Sequence, residues 1–256
     1  MGGYSLADVL ATRKPRDSWW TVYFVDPLAC RVALVLANHT RVTPNALTAF
    51  SLFLGALSAA CFATDGLVAG AVLFYLSFMI DCVDGKIARL KGTGTPFGLW
   101  LDYVGDRIRV VFCAAGLAYG QYVLTGDVAY VLLGAAVAVL DLFRYVNAPQ
   151  MKRVREVVRE TISQEERAPR NRPSFFRRLN GFLARRRVRS HLISGIEFHA
   201  AVFVIAPLIG AAALIPVSVA ASALLLVNEI FVVYRMWLFT RRATAVPQKS
   251  HVLIGG

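Results

Sequence analysis

The sequence predicts an all-α integral membrane protein, with six transmembrane helices preceded by an N-terminal interfacial amphipathic helix. Three observations carry that expectation. Of the 256 residues 57% are hydrophobic and the mean hydropathy is +0.54, more apolar than a soluble domain of this length normally is. Apolar runs long enough to cross a bilayer recur along the chain with short polar breaks between them. Lys and Arg are absent from alternate connections and concentrated in the others. The net charge of +12, from 28 Lys and Arg against 16 Asp and Glu, then points to an anionic membrane surface as partner and not to nucleic acid.

Residues 1–40 read as a cytoplasmic N-terminal segment. Arg13, Lys14 and Arg16 precede Trp19, Trp20, Tyr23 and Phe24, an order suited to a membrane interface. The apolar run Asp26 to Asn38 carries Arg31 and is expected to lie along the surface as the amphipathic helix. No cleavable leader is expected in the first 25 residues, which lack a short apolar core. The four cysteines, Cys30, Cys61, Cys82 and Cys113, are scattered without a C-x-x-C pair and read as small apolar fillers.

A six-span domain is expected over residues 41–242. Pro44 and Asn45 mark a helix start, and the first span runs from there to about residue 64. The second is expected at about 67–90, the third at 98–122, the fourth at 128–146, the fifth at 191–214 and the sixth at 217–239. Residues 243–256 are read as a tail. The connections Asp65-Gly66, Leu124 to Asp127 and Ile215-Pro216 contain no Lys or Arg. The positive-inside rule therefore places both termini and the loops 90–97 and 147–190 in the cytoplasm, for a protein of the cell's inner or plasma membrane. The loop 147–190 is the most basic region, with thirteen Lys and Arg against four Glu between Lys152 and Arg189. Within it Phe175, Phe176, Leu179, Phe182 and Leu183 recur at helical spacing, as in a helix lying on anionic lipid.

The chemistry is concentrated in Asp81 to Asp106, DCVDGKIARLKGTGTPFGLWLDYVGD, where the second and third spans meet across a Gly/Thr/Pro loop. Asp81, Asp84 and Ala88 fall at i, i+3 and i+7 on one helix face, bordered by Gly85 and Arg89. On the next helix Gly98, Asp102 and Asp106 fall at i, i+4 and i+8, again on one face. Each Asp at the centre of a bilayer costs roughly 2.5 to 3.5 kcal/mol, so four gathered together need compensation. Hard divalent cations supply it, and carboxylates that hold Mg²⁺ commonly do so in order to hold phosphate. Arg89 would add a fixed positive charge for that phosphate.

The stretch resembles the signature of the CDP-alcohol phosphotransferase (phosphatidyltransferase) family, D-x2-D-G-x2-A-R-x8-G-x3-D-x3-D. Asp81, Asp84, Gly85, Ala88, Arg89, Gly98, Asp102 and Asp106 match its fixed positions. The resemblance implies transfer of a phosphoryl-linked alcohol, with CDP-diacylglycerol as donor, to a second alcohol with release of CMP, in phospholipid biosynthesis. It implies Mg²⁺ or Mn²⁺, two ions in number, held by Asp81, Asp84 and Asp102 with Asp106 touching the second. Asp106 would be the general base. Gly85 and Ala88 would make room for the nucleotide, Arg89 would bind the diphosphate, and Asn45, Thr48 and Thr95 would contact the donor. Gly98 would permit close helix approach. Members are typically homodimers. The acceptor is not named by the sequence: the phosphate-reading arginines that open the fifth span in the phosphatidylinositol-phosphate branch are absent from Ser194 to His199.

Polar residues elsewhere in the spans are read as structural or as acceptor contacts. Asp141 and Arg144 could neutralise each other, Glu197 and His199 open the fifth span, and Asn228, Glu229 and Arg235 lie on the sixth. A donor with a small head group and a lipid or polyol acceptor is the alternative within the same chemistry. A divalent-cation transporter would want its acids near the midplane, whereas these cluster at one membrane face. An inactive scaffold would be expected to have lost an aspartate, and none is missing.

Overall fold

A computed structural model describes residues 3–161, 181–189 and 193–244. Its elements are α1 (Leu6–Ala11), α2 (Thr21–His39), α3 (Pro44–Ala63), α4 (Leu67–Lys91), α5 (Pro96–Thr125), α6 (Val128–Thr161), α7 (Gly195–Ile209) and α8 (Ala211–Thr244). No strand occurs among the described residues, and one isolated bridge joins Asp17 to Val188. Six helices, α2 to α6 and α8, are long and apolar enough to cross a bilayer, and the protein is an all-α integral membrane protein.

Helix boundaries follow local chemistry. Thr43 caps α3 by accepting the Ala46 N–H, with Pro44 in the first turn, where its missing N–H costs nothing. The same device opens α5: Thr95 accepts the Gly98 N–H at 2.9 Å and Pro96 follows. Gly92 ends α4 in the left-handed conformation at φ +64, so the chain turns within four residues and delivers α5 beside α4.

Two expectations about the spans change. The run from Asp26 belongs to a longer helix: a π-helical turn at Thr21–Val25 extends it to 19 residues, though Lys86 meets Asp26 at its start and Lys91 the Thr40 carbonyl just past its end, so both ends lie at the acidic half of α4. The fifth span is short, 15 residues in Gly195–Ile209, and the chain breaks at Gly210 (φ +124) instead of at Ile215-Pro216. A glycine tolerates that backbone, whereas Pro216 is absorbed into the early turns of α8. The basic loop begins later than expected because α6 continues to Thr161. Phe175, Phe176, Leu179 and His191 lie outside the described residues; Phe182 and Leu183 sit in a short helical stretch at 181–185.

Helix α3 lies at the centre, between α4 and α5. On the α4 side, Ser58 donates to the Gly70 carbonyl at 2.7 Å, and Ser51 and Ser77 donate to each other's carbonyls at 3.0 and 2.7 Å. On the α5 side, Gly116 and Gly120 bring backbone against backbone: a Cβ at Gly120 would lie 2.2 Å from the Phe62 carbonyl oxygen. Phe203 of α7 packs against the Phe74 ring, 4.8 Å between centroids, which seats the short helix on α4. Substituting Gly120→Leu forces α3 and α5 apart. The expected loss is about 1 to 3 kcal/mol, read as several degrees of Tm in detergent. Gly94→Ala, with nothing within 4 Å of its Cβ, is expected to leave Tm unchanged.

Candidate active site

The last turns of α4 and the first turns of α5 face each other, and carboxylate oxygens of Asp81, Asp84 and Asp102 lie within 4.8 Å of one another. Asp84 is buried; Asp81 and Asp102 are half-buried. Oxygens bound to one Mg²⁺ or Mn²⁺ sit about 2.1 Å from the ion, hence up to about 4.2 Å apart. The three acids therefore fit a single small divalent cation after slight contraction. Ligand type agrees, being hard anionic oxygen throughout.

Asp106 stands apart from this trio. Its carboxylate pairs with Arg109 one turn along α5, and Arg107 approaches its other oxygen at 3.6 Å. Arg109 is 5% exposed. It also reaches Asp81 at 3.6 Å and donates to the hydroxyls of Ser51 and Ser77 at 2.9 and 3.1 Å. Those two serines spend their own protons on carbonyls, so their lone pairs are free to receive the guanidinium. One buried arginine thus compensates carboxylates on both helices.

The remaining candidates gather around the trio to different degrees. Thr48 donates its hydroxyl to Asp84, with the Pro44 carbonyl 3.1 Å away. Asn45 packs against α5, where a Cβ at Gly98 would lie 2.5 Å from its Oδ1; Gly98 therefore serves helix approach, as expected. Thr95 is exposed and occupied in capping α5. Gly85 lies under Arg89, whose Nη1 would sit 3.3 Å from a Cβ there, and Ala88 is half-buried on the next turn. Arg89 itself is exposed and donates through Nε to the Thr12 carbonyl at 2.7 Å.

A second polar chain runs away from Asp106. Asp141 is fully buried on α6, with one oxygen on Arg107 and the other 2.7 Å from His199 Nε2. Arg107 also lies 3.8 Å over the Tyr145 ring. The expectation that Asp141 and Arg144 neutralise each other is not met, because Arg144 turns to Glu229 on α8 at 3.7 Å. Glu197 caps α7 through Ser194 and accepts the Trp19 N–H at 3.0 Å. Sequence reasoning missed Arg109, Arg107 and the buried pair Lys86–Asp26 at 2.8 Å. A signal existed for Arg109, a cation three residues beyond an acid in an apolar helix.

Comparison with known proteins agrees with this geometry. Residues 41–163, which contain the whole acidic stretch, match the profile of the family described as CDP-alcohol phosphatidyltransferase. The archaetidylinositol phosphate synthase of Methanothermobacter thermautotrophicus is 32% identical over 105 residues, 40% of this chain and 50% of that protein. The CDP-diacylglycerol–serine O-phosphatidyltransferase of Helicobacter pylori (strain 26695) is 29% identical over 105 residues, 38% of this chain and 44% of that protein. The chain spans about half the length of the curated relatives it matches. A crystal structure of the Mycobacterium tuberculosis phosphatidylinositol phosphate synthase, in complex with manganese and citrate, aligns over 84% of this chain and 89% of that one. Its TM-score is 0.51 at 19% identity, a likeness of fold. Residues 41–163, with the acidic stretch at their centre, are thus similar in sequence to the CDP-alcohol phosphatidyltransferase family, and the chain builds a bundle of membrane-length helices around them.

Proposed function

We propose that the protein transfers a phosphatidyl group from CDP-diacylglycerol to the hydroxyl of a second alcohol, releasing CMP, as a step of phospholipid biosynthesis. The observation that carries this reading is the convergence of Asp81, Asp84 and Asp102 within 4.8 Å. The matched family profile and a relative named for CDP-diacylglycerol support the choice of donor.

In this reading Asp81, Asp84 and Asp102 hold Mg²⁺ or Mn²⁺, and the metal, when bound, supplies positive charge against the donor's diphosphate. A second ion would be shared with Asp106. The chain's own residues do the rest. Arg89 takes the diphosphate, and Gly85 and Ala88 leave a smooth floor for the nucleotide. Thr48, held on Asp84, lines the site with Asn45 and Thr95. Asp106 accepts the proton of the acceptor hydroxyl. The acceptor oxygen then bonds to the phosphatidyl phosphorus as the bridging P–O bond breaks, CMP leaves with that bond's electrons, and the proton passes from Asp106 to solvent. Arg109, paired with its carboxylate, orients Asp106 beforehand.

The same proposal places the site and both termini in the cytoplasm, where CMP is released into water and positively charged loops are retained. It takes the functional unit to be a homodimer. It divides the chain at residues 1–40, 41–242 and 243–256.

The reading is tested with purified protein, Mn²⁺, CDP-diacylglycerol and a panel of acceptors comprising serine, glycerol phosphate, inositol phosphate and other alcohols. CMP release that needs both Mn²⁺ and one acceptor class is expected; no release with any acceptor contradicts it. Asp106→Asn removes the base while leaving the trio intact. It is expected to lower kcat by roughly 10² to 10⁴ with donor affinity retained. Parent-like turnover would refute the assignment of Asp106.

A further inference from the structure

Arg187 lies at the end of the basic loop, far in sequence from the acidic stretch, yet its contacts lead back to it. Its guanidinium donates from Nε and Nη2 to the Lys14 carbonyl, at 3.1 and 2.8 Å. Its Nη1 meets Asp26 Oδ2 at 3.1 Å. The other oxygen of Asp26 lies 2.8 Å from Lys86 Nζ, and both side chains are buried. Lys86 follows Gly85 on α4. The neighbouring backbone fixes the register: the Asp17 N–H donates to the Arg187 carbonyl at 2.8 Å, and the Arg189 N–H to the Asp17 carbonyl at 2.9 Å.

Two residues before Lys14 the same segment presents the Thr12 carbonyl to Arg89 Nε at 2.7 Å. The contacts therefore form a closed circuit. It leaves α4 at Lys86, passes through Asp26 and Arg187 to the segment Thr12–Asp17, and returns to α4 at Arg89. With Nε anchored, the Arg89 guanidinium lies over Gly85, and the described residues give its Nη groups no partner. An arginine is a flexible side chain with about 2 kcal/mol of rotamer entropy, and anchoring one donor leaves less to lose on binding. Arg187 itself adopts φ +61, a left-handed backbone that a non-glycine residue keeps only where surrounding contacts over-determine it. Here the paired backbone, the doubled bond to Lys14 and the ion pair to Asp26 do so.

We propose that Arg187 is a positioning residue for the donor: it clamps the segment Thr12–Asp17 so that the Thr12 carbonyl holds Arg89 over Gly85, aimed at a nucleoside diphosphate. This rests on the transferase reading of the same site. It gives the end of the basic loop a task in donor binding, separate from attraction to lipid.

The test is equilibrium binding of CDP to the full-length protein in detergent with saturating Mn²⁺, alongside direct Mn²⁺ binding and the donor KM and kcat of CMP release. Arg187→Ala is expected to weaken CDP about tenfold. Donor KM rises by the same factor, kcat stays within about twofold, and Mn²⁺ affinity matches the parent. Because Arg187 acts through Arg89, the double variant Arg187→Ala/Arg89→Ala binds CDP no more weakly than Arg89→Ala alone. Arg187→Lys keeps charge against Asp26 but cannot donate twice to the Lys14 carbonyl while doing so, and falls between parent and Arg187→Ala. It carries the test should the alanine variant unfold. Unchanged CDP affinity in either folded variant overturns the proposal, as do additive losses in the double variant or parallel losses of Mn²⁺ and CDP. If the parent binds Mn²⁺ at the trio but no CDP, the transferase reading falls and this inference falls with it. If the parent binds CDP and Arg187→Ala binds it equally, only this inference falls.

Discussion

Three carboxylates held within 4.8 Å of one another are the constraint that the rest of the bundle answers. At that spacing each ionised pair repels by about 3 kcal/mol in a protein-like effective dielectric. Left alone, the acid-bearing ends of α4 and α5 would be driven apart. Several features oppose this. Arg109 reaches acids on both helices, Thr48 donates to Asp84, and a short capped turn from Gly92 to Thr95 ties the two helices together. Farther along, the glycine-to-carbonyl contacts of α5 with α3 hold the helices where the acids meet.

The central part of this was legible in the sequence. Spacing alone puts Asp81 with Asp84 and Asp102 with Asp106 on single faces, and the turn between them is written in Gly, Thr and Pro. The trio of Asp81, Asp84 and Asp102 is the group the structure brings together. The helix start at Pro44 and the span ends expected near residues 64, 90 and 122 followed from residue chemistry that acts within one turn, and the helices end at Ala63, Lys91 and Thr125.

What was not legible depends on long-range partners. Asp106 lies on the expected face, but its orientation is decided by Arg109 and Arg107, whose pairing needs three-dimensional proximity. Asp141 and Arg144 are three residues apart and oppositely charged, yet Arg107 and His199 from other helices capture Asp141 first. Hydropathy could not distinguish Gly210 from Pro216 as the break before the last helix, since both interrupt an apolar run. The π-helical turns at Thr21–Val25 and Ala201–Ile205 have no recognised local code; they change which residues a helix presents, and Phe203 reaches the core from one of them.

The account rests on the acidic trio being a metal site, and locating the ion tests that most directly. Crystals of the protein grown with Mn²⁺ and measured at the manganese absorption edge are predicted to give an anomalous peak among the carboxylates of Asp81, Asp84 and Asp102, and none in Asp84→Asn crystals. Manganese bound elsewhere, or a peak that persists unchanged in Asp84→Asn, would contradict it.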